Sequence, residues 1–226
     1  MGVLTIWPAD KLRNMKKLIR TTALLIAACA TSAFAVPTLT ISDNLGNTVS
    51  IMDGGAGDAC PQLGCVTWIG SIGVWDINVD TGLTKPITGN PNHLDMDLAF
   101  AAHSTRGGML TINFSDDGFM VSGIGVDGVG GTTAGTVTDN IRVNGGIVMS
   151  QGPFGPGAFS GTVSGPMSLN PADLIGIEVV INHNGAGSST GDKHMTVPEG
   201  GSAVALLGMA IVGLEGLRRK IRARKS

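Results

Sequence analysis

The stretch Thr38-Leu39-Thr40-Ile41-Ser42, Asp43-Asn44-Leu45-Gly46, Asn47-Thr48-Val49-Ser50-Ile51-Met52 joins two alternating segments through a polar turn closed by glycine. Leu39 and Ile41 fall on one face of the first segment, and Val49 and Ile51 on one face of the second. A period of two over four to six residues marks half-buried strands, and a short Asn/Gly connection between two of them marks a hairpin. The same grammar repeats downstream at residues 65–69, 72–79, 94–102, 109–114, 119–126, 135–143, 147–150, 158–164 and 175–181. Clusters such as Gly70-Ser71, Gly130-Gly131, Asn144-Gly145-Gly146 and Gly152-Pro153-Phe154-Gly155-Pro156-Gly157 punctuate the segments. Short strands at this spacing predict an all-β domain, a β-sandwich or jelly roll. The one helical feature expected between Val36 and Val197 is a single turn at 170–174, with Asn170 as cap and Pro171 at its first position.

Composition agrees. Glycine, at 35 of 226 residues, is about twice its usual share, and aromatics make up only 4%. Charge is segregated. Residues 36–197 hold four basic side chains (Lys85, Arg106, Arg142, Lys193) against thirteen Asp and Glu178, a net of −10. Such a surface repels phosphate backbones and argues against a nucleic-acid partner.

The remaining basic residues lie at the two ends. Met15-Lys16-Lys17-Leu18-Ile19-Arg20 precedes the apolar run 21–30 and the small-x-small box Ala33-Phe34-Ala35. That is a secretory signal peptide over residues 1–35, with Met15 as the expected start and cleavage before Val36. Ile26-Ala27-Ala28-Cys29 also fits a lipoprotein box, an alternative in which Cys29 carries lipid. The exported chain keeps Cys60 and Cys65, six residues end to end, which read as a disulfide stapling a glycine-rich loop.

At the other end, Val197-Pro198-Glu199-Gly200-Gly201 is followed by the apolar segment 202–217. A basic stop then closes the chain: Arg218, Arg219, Lys220, Arg222, Arg224 and Lys225. Sixteen residues are at the short limit of a transmembrane helix, and the basic tail fixes an inside orientation. The sequence from Val197 to Lys220 resembles the PEP-CTERM class of bacterial sorting signals, nearest its VPDSG variant. Glu199-Gly200 stands where that class has Glu-Pro or Asp-Ser, and Glu215 interrupts the span. The resemblance implies that residues 197–201 are read by an exosortase-type membrane enzyme. It further implies delivery to the envelope, surface or matrix of a Gram-negative bacterium, after passage through the secretion machinery and a membrane-tethered stage. Residues 36–196, the ectodomain, are also similar to members of that class in the stretch from Pro37 through Asp58, in Thr81-Gly82-Leu83-Thr84-Lys85-Pro86, in Leu110-Thr111-Ile112-Asn113-Phe114-Ser115-Asp116 and in Gln151-Gly152-Pro153-Phe154.

Within the ectodomain no residue set meets a catalytic or cofactor pattern, so no catalytic residue, metal ligand or cofactor is assigned. Asp76-Ile77-Asn78-Val79-Asp80-Thr81-Gly82 begins like a calcium loop, but Thr81 and Ile87 stand where that loop requires Gly and Glu. The expectation is a strand with 76, 78 and 80 facing solvent and a turn at Thr81-Gly82. Clustered Asp43, Asp53 and Asp58 leave calcium open elsewhere. His93, Asp95, Asp97 and His103 are expected on a polar strand face, with His183 and His194 unplaced. Trp68 and Trp75 are read as core residues rather than sugar platforms. The expected role is a non-enzymatic structural or adhesive protein among extracellular polysaccharides. The alternative is a calcium- or carbohydrate-binding module, and a secreted hydrolase ranks last.

Overall fold

A computed structural model describes residues 36–198. The expected signal peptide with Ala33 and Ala35, residues Glu199, Gly200 and Gly201 of the expected sorting motif, the apolar segment 202–217 and the basic residues after it all lie outside the described residues.

Among the described residues the chain forms twelve strands and no helix. They are β1 (Thr38–Ser42), β2 (Thr48–Met52), β3 (Cys65–Ile72), β4 (Trp75–Leu83), β5 (Leu94–Ser104), β6 (Gly108–Asp116), β7 (Val121–Thr133), β8 (Thr136–Val143), β9 (Gly146–Phe154), β10 (Gly157–Leu169), β11 (Ile175–His183) and β12 (Gly187–Val197). Two six-stranded antiparallel sheets result, ordered β2-β1-β6-β11-β8-β9 and β10-β7-β12-β5-β4-β3. From β5 onward the pairing is nested: β5 with β12, β6 with β11, β7 with β10, β8 with β9. That is the double winding of a jelly roll. The leading hairpin β1–β2 extends the first sheet beside β6, and β3–β4 extends the second beside β5.

The two inner faces supply one core. β5 alternates strictly, sending Leu94, Met96, Leu98, Phe100 and Ala102 inward. Leu110, Ile112 and Phe114 of β6 and Ile175, Ile177, Val179 and Ile181 of β11 answer from the other sheet. The opening hairpin forms with Leu39 opposite Ile51 and Ser42 opposite Thr48. Its turn is held by Asp43, whose Oδ1 accepts from the Leu45 and Asn47 amides and whose Oδ2 accepts from Asn47 Nδ2. Asn44 and Gly46 take the positive φ angles that the turn needs.

Several expectations need correction. Gly130-Gly131 and Gly152-Pro153-Phe154, expected between strands, lie within β7 and β9. The break between β3 and β4 is at Gly73-Val74, not Gly70-Ser71, where the chain instead carries a bulge between Trp68 and Gly70. β4 continues through Thr81 and Gly82 to Leu83. A second bulge between Ile77 and Val79 inserts one residue and inverts the alternation. Asp76 is therefore exposed while Asp80 is fully buried, although the two are four apart. At 170–173 the chain makes a turn, with Asp173 Oδ2 accepting from the Asn170 amide, and no helical turn. β12 was not anticipated at all. Its sequence, Gly187-Ser-Ser-Thr-Gly-Asp-Lys-His-Met-Thr-Val197, places Ser, Lys and Met on the inward face, so no apolar alternation announces it.

Candidate functional site

The outer face of the second sheet brings together side chains that the sequence leaves apart. Because the even-numbered residues of β5 fill the core, Asp95 and Asp97 stand on the solvent side. β12 runs antiparallel beside it, with His194 opposite Asp97 and Thr196 opposite Asp95. His194 Nε2 lies 2.9 Å from Asp95 Oδ1. The ligand atoms of Asp95, Asp97 and His194 all fall within 4.8 Å of one another. His93, just before β5, adds its Nε2 at 4.0 Å from Asp95 Oδ2. The strand on the far side of β12 presents Gly128 opposite His194 and Gly130 opposite Asp192, and Ala99 faces Asp192 on β5. The cluster thus has glycine on its β7 flank, while on the β4 flank Leu83 stands opposite Asp97.

The electrostatics suit a cation. Partial burial pushes the Asp97 carboxyl above its ordinary range; His194 opposes this, and the Asp95 and Asp192 carboxylates add to it. A divalent ion would offset that crowding. One imidazole nitrogen with two carboxylates is the mixed donor set of zinc or manganese, whereas calcium takes oxygen alone. The His194 contribution could not be placed from sequence, since it depends on the unanticipated β12.

Other candidates resolve differently. Asp43, Asp53 and Asp58 do not converge on an ion: each closes a loop. Asp58 accepts from the amides of Gly54, Cys60 and Thr67, and Asp53 from that of Gly64. Cys60 and Cys65 are bonded, with Cα atoms 5.9 Å apart. His103 bonds Ser188 Oγ, away from the cluster. His183 is buried between Ser104 Oγ and Ser189 Oγ, at 2.7 and 2.8 Å, against the Trp75 ring. Burial, with His103 nearby, holds its pKa below the usual imidazole value. Trp75 is a core residue and Trp68 is half-buried against the core. Among the described residues no aromatic ring is fully exposed, and Trp68 and Phe154 are half-buried.

Two of the sequence stretches quoted above meet: Asp116 Oδ2 accepts from Lys85 Nζ at 2.5 Å and from Thr84 Oγ1 at 2.9 Å. The Lys85 Nζ also sits 4.0 Å from the Phe119 ring centroid. Val197 is the last residue of β12, buried in the core opposite Leu94, and exposed Pro198 follows it.

The described domain is therefore an all-β, two-sheet sandwich with an ionisable cluster on one outer face. No protein-family model matches the chain, and no curated protein matches it. Among solved structures, the chain aligns with a PA14 sugar-binding domain from an RTX adhesin, at 16% identity over 38% of this chain and 44% of that one (TM-score 0.27). TmCBM61 in complex with β-1,4-galactotriose aligns at 9% identity over 56% of this chain and 90% of that one (TM-score 0.26). The GH31 α-xylosidase of Xanthomonas citri aligns at 9% identity over 71% and 16% (TM-score 0.23). The chain spans under half the length of the first of these. Similarity at this level carries nothing about ligand or activity.

Proposed function

We propose that this is a non-enzymatic exported binding module that takes a divalent cation at Asp95, Asp97 and His194. The observation that supports it is the convergence of three ligand-type side chains from two adjacent strands on an open face. Three protein donors leave coordination positions for outside oxygen atoms. The carboxylates and vicinal hydroxyls of an extracellular polysaccharide are donors of that kind, and they need no aromatic platform. Zinc at tens of micromolar should raise the unfolding temperature of the wild-type chain and leave His194→Ala unchanged. Equal shifts in both proteins would remove the site.

The sequence supports the remaining parts of the reading. The signal peptide would deliver the domain across the inner membrane, and residues 197–226 would act as a sorting signal cut by an exosortase-type enzyme. Val197 belongs to the last strand, so a cut beyond it leaves the sandwich whole. The surface-released species should lack everything from about Ser202 onward, an outcome that intact mass reads directly. A released species that keeps the basic tail would favour a plain membrane anchor.

A further inference from the structure

Three ionisable side chains that the outer cluster does not use meet between the sheets. Lys193 reaches inward from β12, Asp127 from the neighbouring β7, and Asp139 from β8 in the opposite sheet. None of these side chains has any solvent exposure. Their cross-strand neighbours Leu98, Val129 and Val179 are buried and apolar. Lys193 Nζ lies 3.2 Å from Asp127 Oδ2 and 3.2 Å from the Asn140 carbonyl oxygen. It also touches Asp139 Oδ1. That oxygen has no hydrogen-bond partner, and Asp127 Oδ1 lacks one too. The other oxygen of Asp139, Oδ2, accepts from Gln151 Nε2 at 2.7 Å, and the same amide nitrogen lies 3.4 Å from Asp127 Oδ2.

As an ion cluster this is unfavourable. One ammonium faces two carboxylates, three charges have been desolvated, and two carboxylate oxygens go without donors. As a condensation site it is well furnished: an amine held against a carboxyl, a second carboxyl within proton reach, and an amide N–H on the acyl oxygen. We propose that Lys193 and Asp139 are joined by an intramolecular isopeptide bond, formed by the folded domain itself with Asp127 as the proton carrier.

The steps balance without a cofactor. Asp139 enters as the neutral acid, having taken one proton from solvent before the sheets close. The Lys193 ammonium gives one proton to the Asp127 carboxylate, and the neutral amine attacks Cγ of that acid. Negative charge develops on Asp139 Oδ2, where the Gln151 amide already donates. Asp127 returns its proton to Oδ1, the Cγ–Oδ1 bond breaks, and water leaves. The second Nζ proton passes to Asp127, leaving a neutral amide and a neutral carboxylic acid. All three side chains are shut away from solvent, which favours the neutral reactants over the ion cluster. Fixing amine and acyl carbon in contact removes the entropy cost of a bimolecular condensation. Exclusion of water opposes the reverse hydrolysis. The product ties β8 of one sheet to β12 of the other and removes all three buried charges. It is independent of the outer cation cluster.

Peptide mapping of the purified full chain, reduced, alkylated and digested with trypsin, tests this. A branched species should join the segment holding Asp139 to the one holding Lys193, lighter than the two by one water and uncut at Lys193. Recovery of those segments only as linear peptides, with cleavage at Lys193, would overturn the proposal. Asp127→Ala should give the linear peptides, while a variant still fully branched would remove Asp127 from the reaction. If Asp127→Ala fails to fold, the wild-type map remains decisive.

Discussion

Asp80 shows how far one side chain can depart from its pattern. It is buried beside the β4 bulge, with Oδ1 3.4 Å from the Ala101 amide and Oδ2 without a partner. Burial pushes its carboxyl up to about 8 from an ordinary value of 3.8. The folded chain thus holds a proton that the unfolded chain has released between those values. The resulting stability is complete below about pH 4 and is lost as pH rises through about 8. Denaturant titrations should find the wild type weakening from pH 6 to 9. Asp80→Asn should flatten that slope and gain about 1–3 kcal/mol at pH 9. An unchanged slope would show that Asp80 is ionised or solvated in the fold. Gly82 makes a second test, because a Cβ there would enter the ring of fully buried Phe114. Gly82→Ala should cost about 1–3 kcal/mol in the same titration, and a neutral result would mean the ring can move aside.

At the scale of elements, the disulfide loop is braced by more than sulfur. Cys60 and Cys65 are five apart in sequence, and a loop that small gives about 2 kcal/mol by chain entropy. Asp58 holds the same loop through three backbone amides. Reduction alone should therefore lower stability by about 2 kcal/mol and leave the fold intact, as read by circular dichroism. Asp58→Ala in the reduced protein should lower it further. Loss of all sheet signal on reduction would make the staple essential rather than auxiliary. β12 marks the opposite case, an element that carries much and announces little. Its inward face includes Ser189 and Lys193, satisfied by Thr133 and His183 on one side and by Asp127 on the other. A hydrophobicity pattern cannot register a strand whose core contacts are polar.

At the scale of the whole molecule, the all-β class was legible because β1, β2, β5 and β6 alternate cleanly. The strand parity of β4 was not, since a bulge leaves no mark in composition. The net charge of −10 also reads differently once folded. Lys85, Lys193 and Arg142 are all engaged with carboxylates, Arg142 with Glu178 at 2.7 Å. The acidic surplus is therefore left largely to the surface and to the outer face of the second sheet. Asp95 and Asp97 were recognisable as a polar strand face. What makes them a candidate site, His194, arrives through the pairing of residues nearly a hundred positions apart.

Cation binding at that face is tested most directly by calorimetric titration of zinc and of calcium into the full chain and into His194→Ala. One zinc per chain is expected, bound at least tenfold more tightly than calcium, with the zinc heat lost in His194→Ala. Acidification should weaken it, because protons compete with the metal for its ligands. Zinc heats that are absent from the wild type, or that survive unchanged in His194→Ala, would contradict a cation-binding role for Asp95, Asp97 and His194.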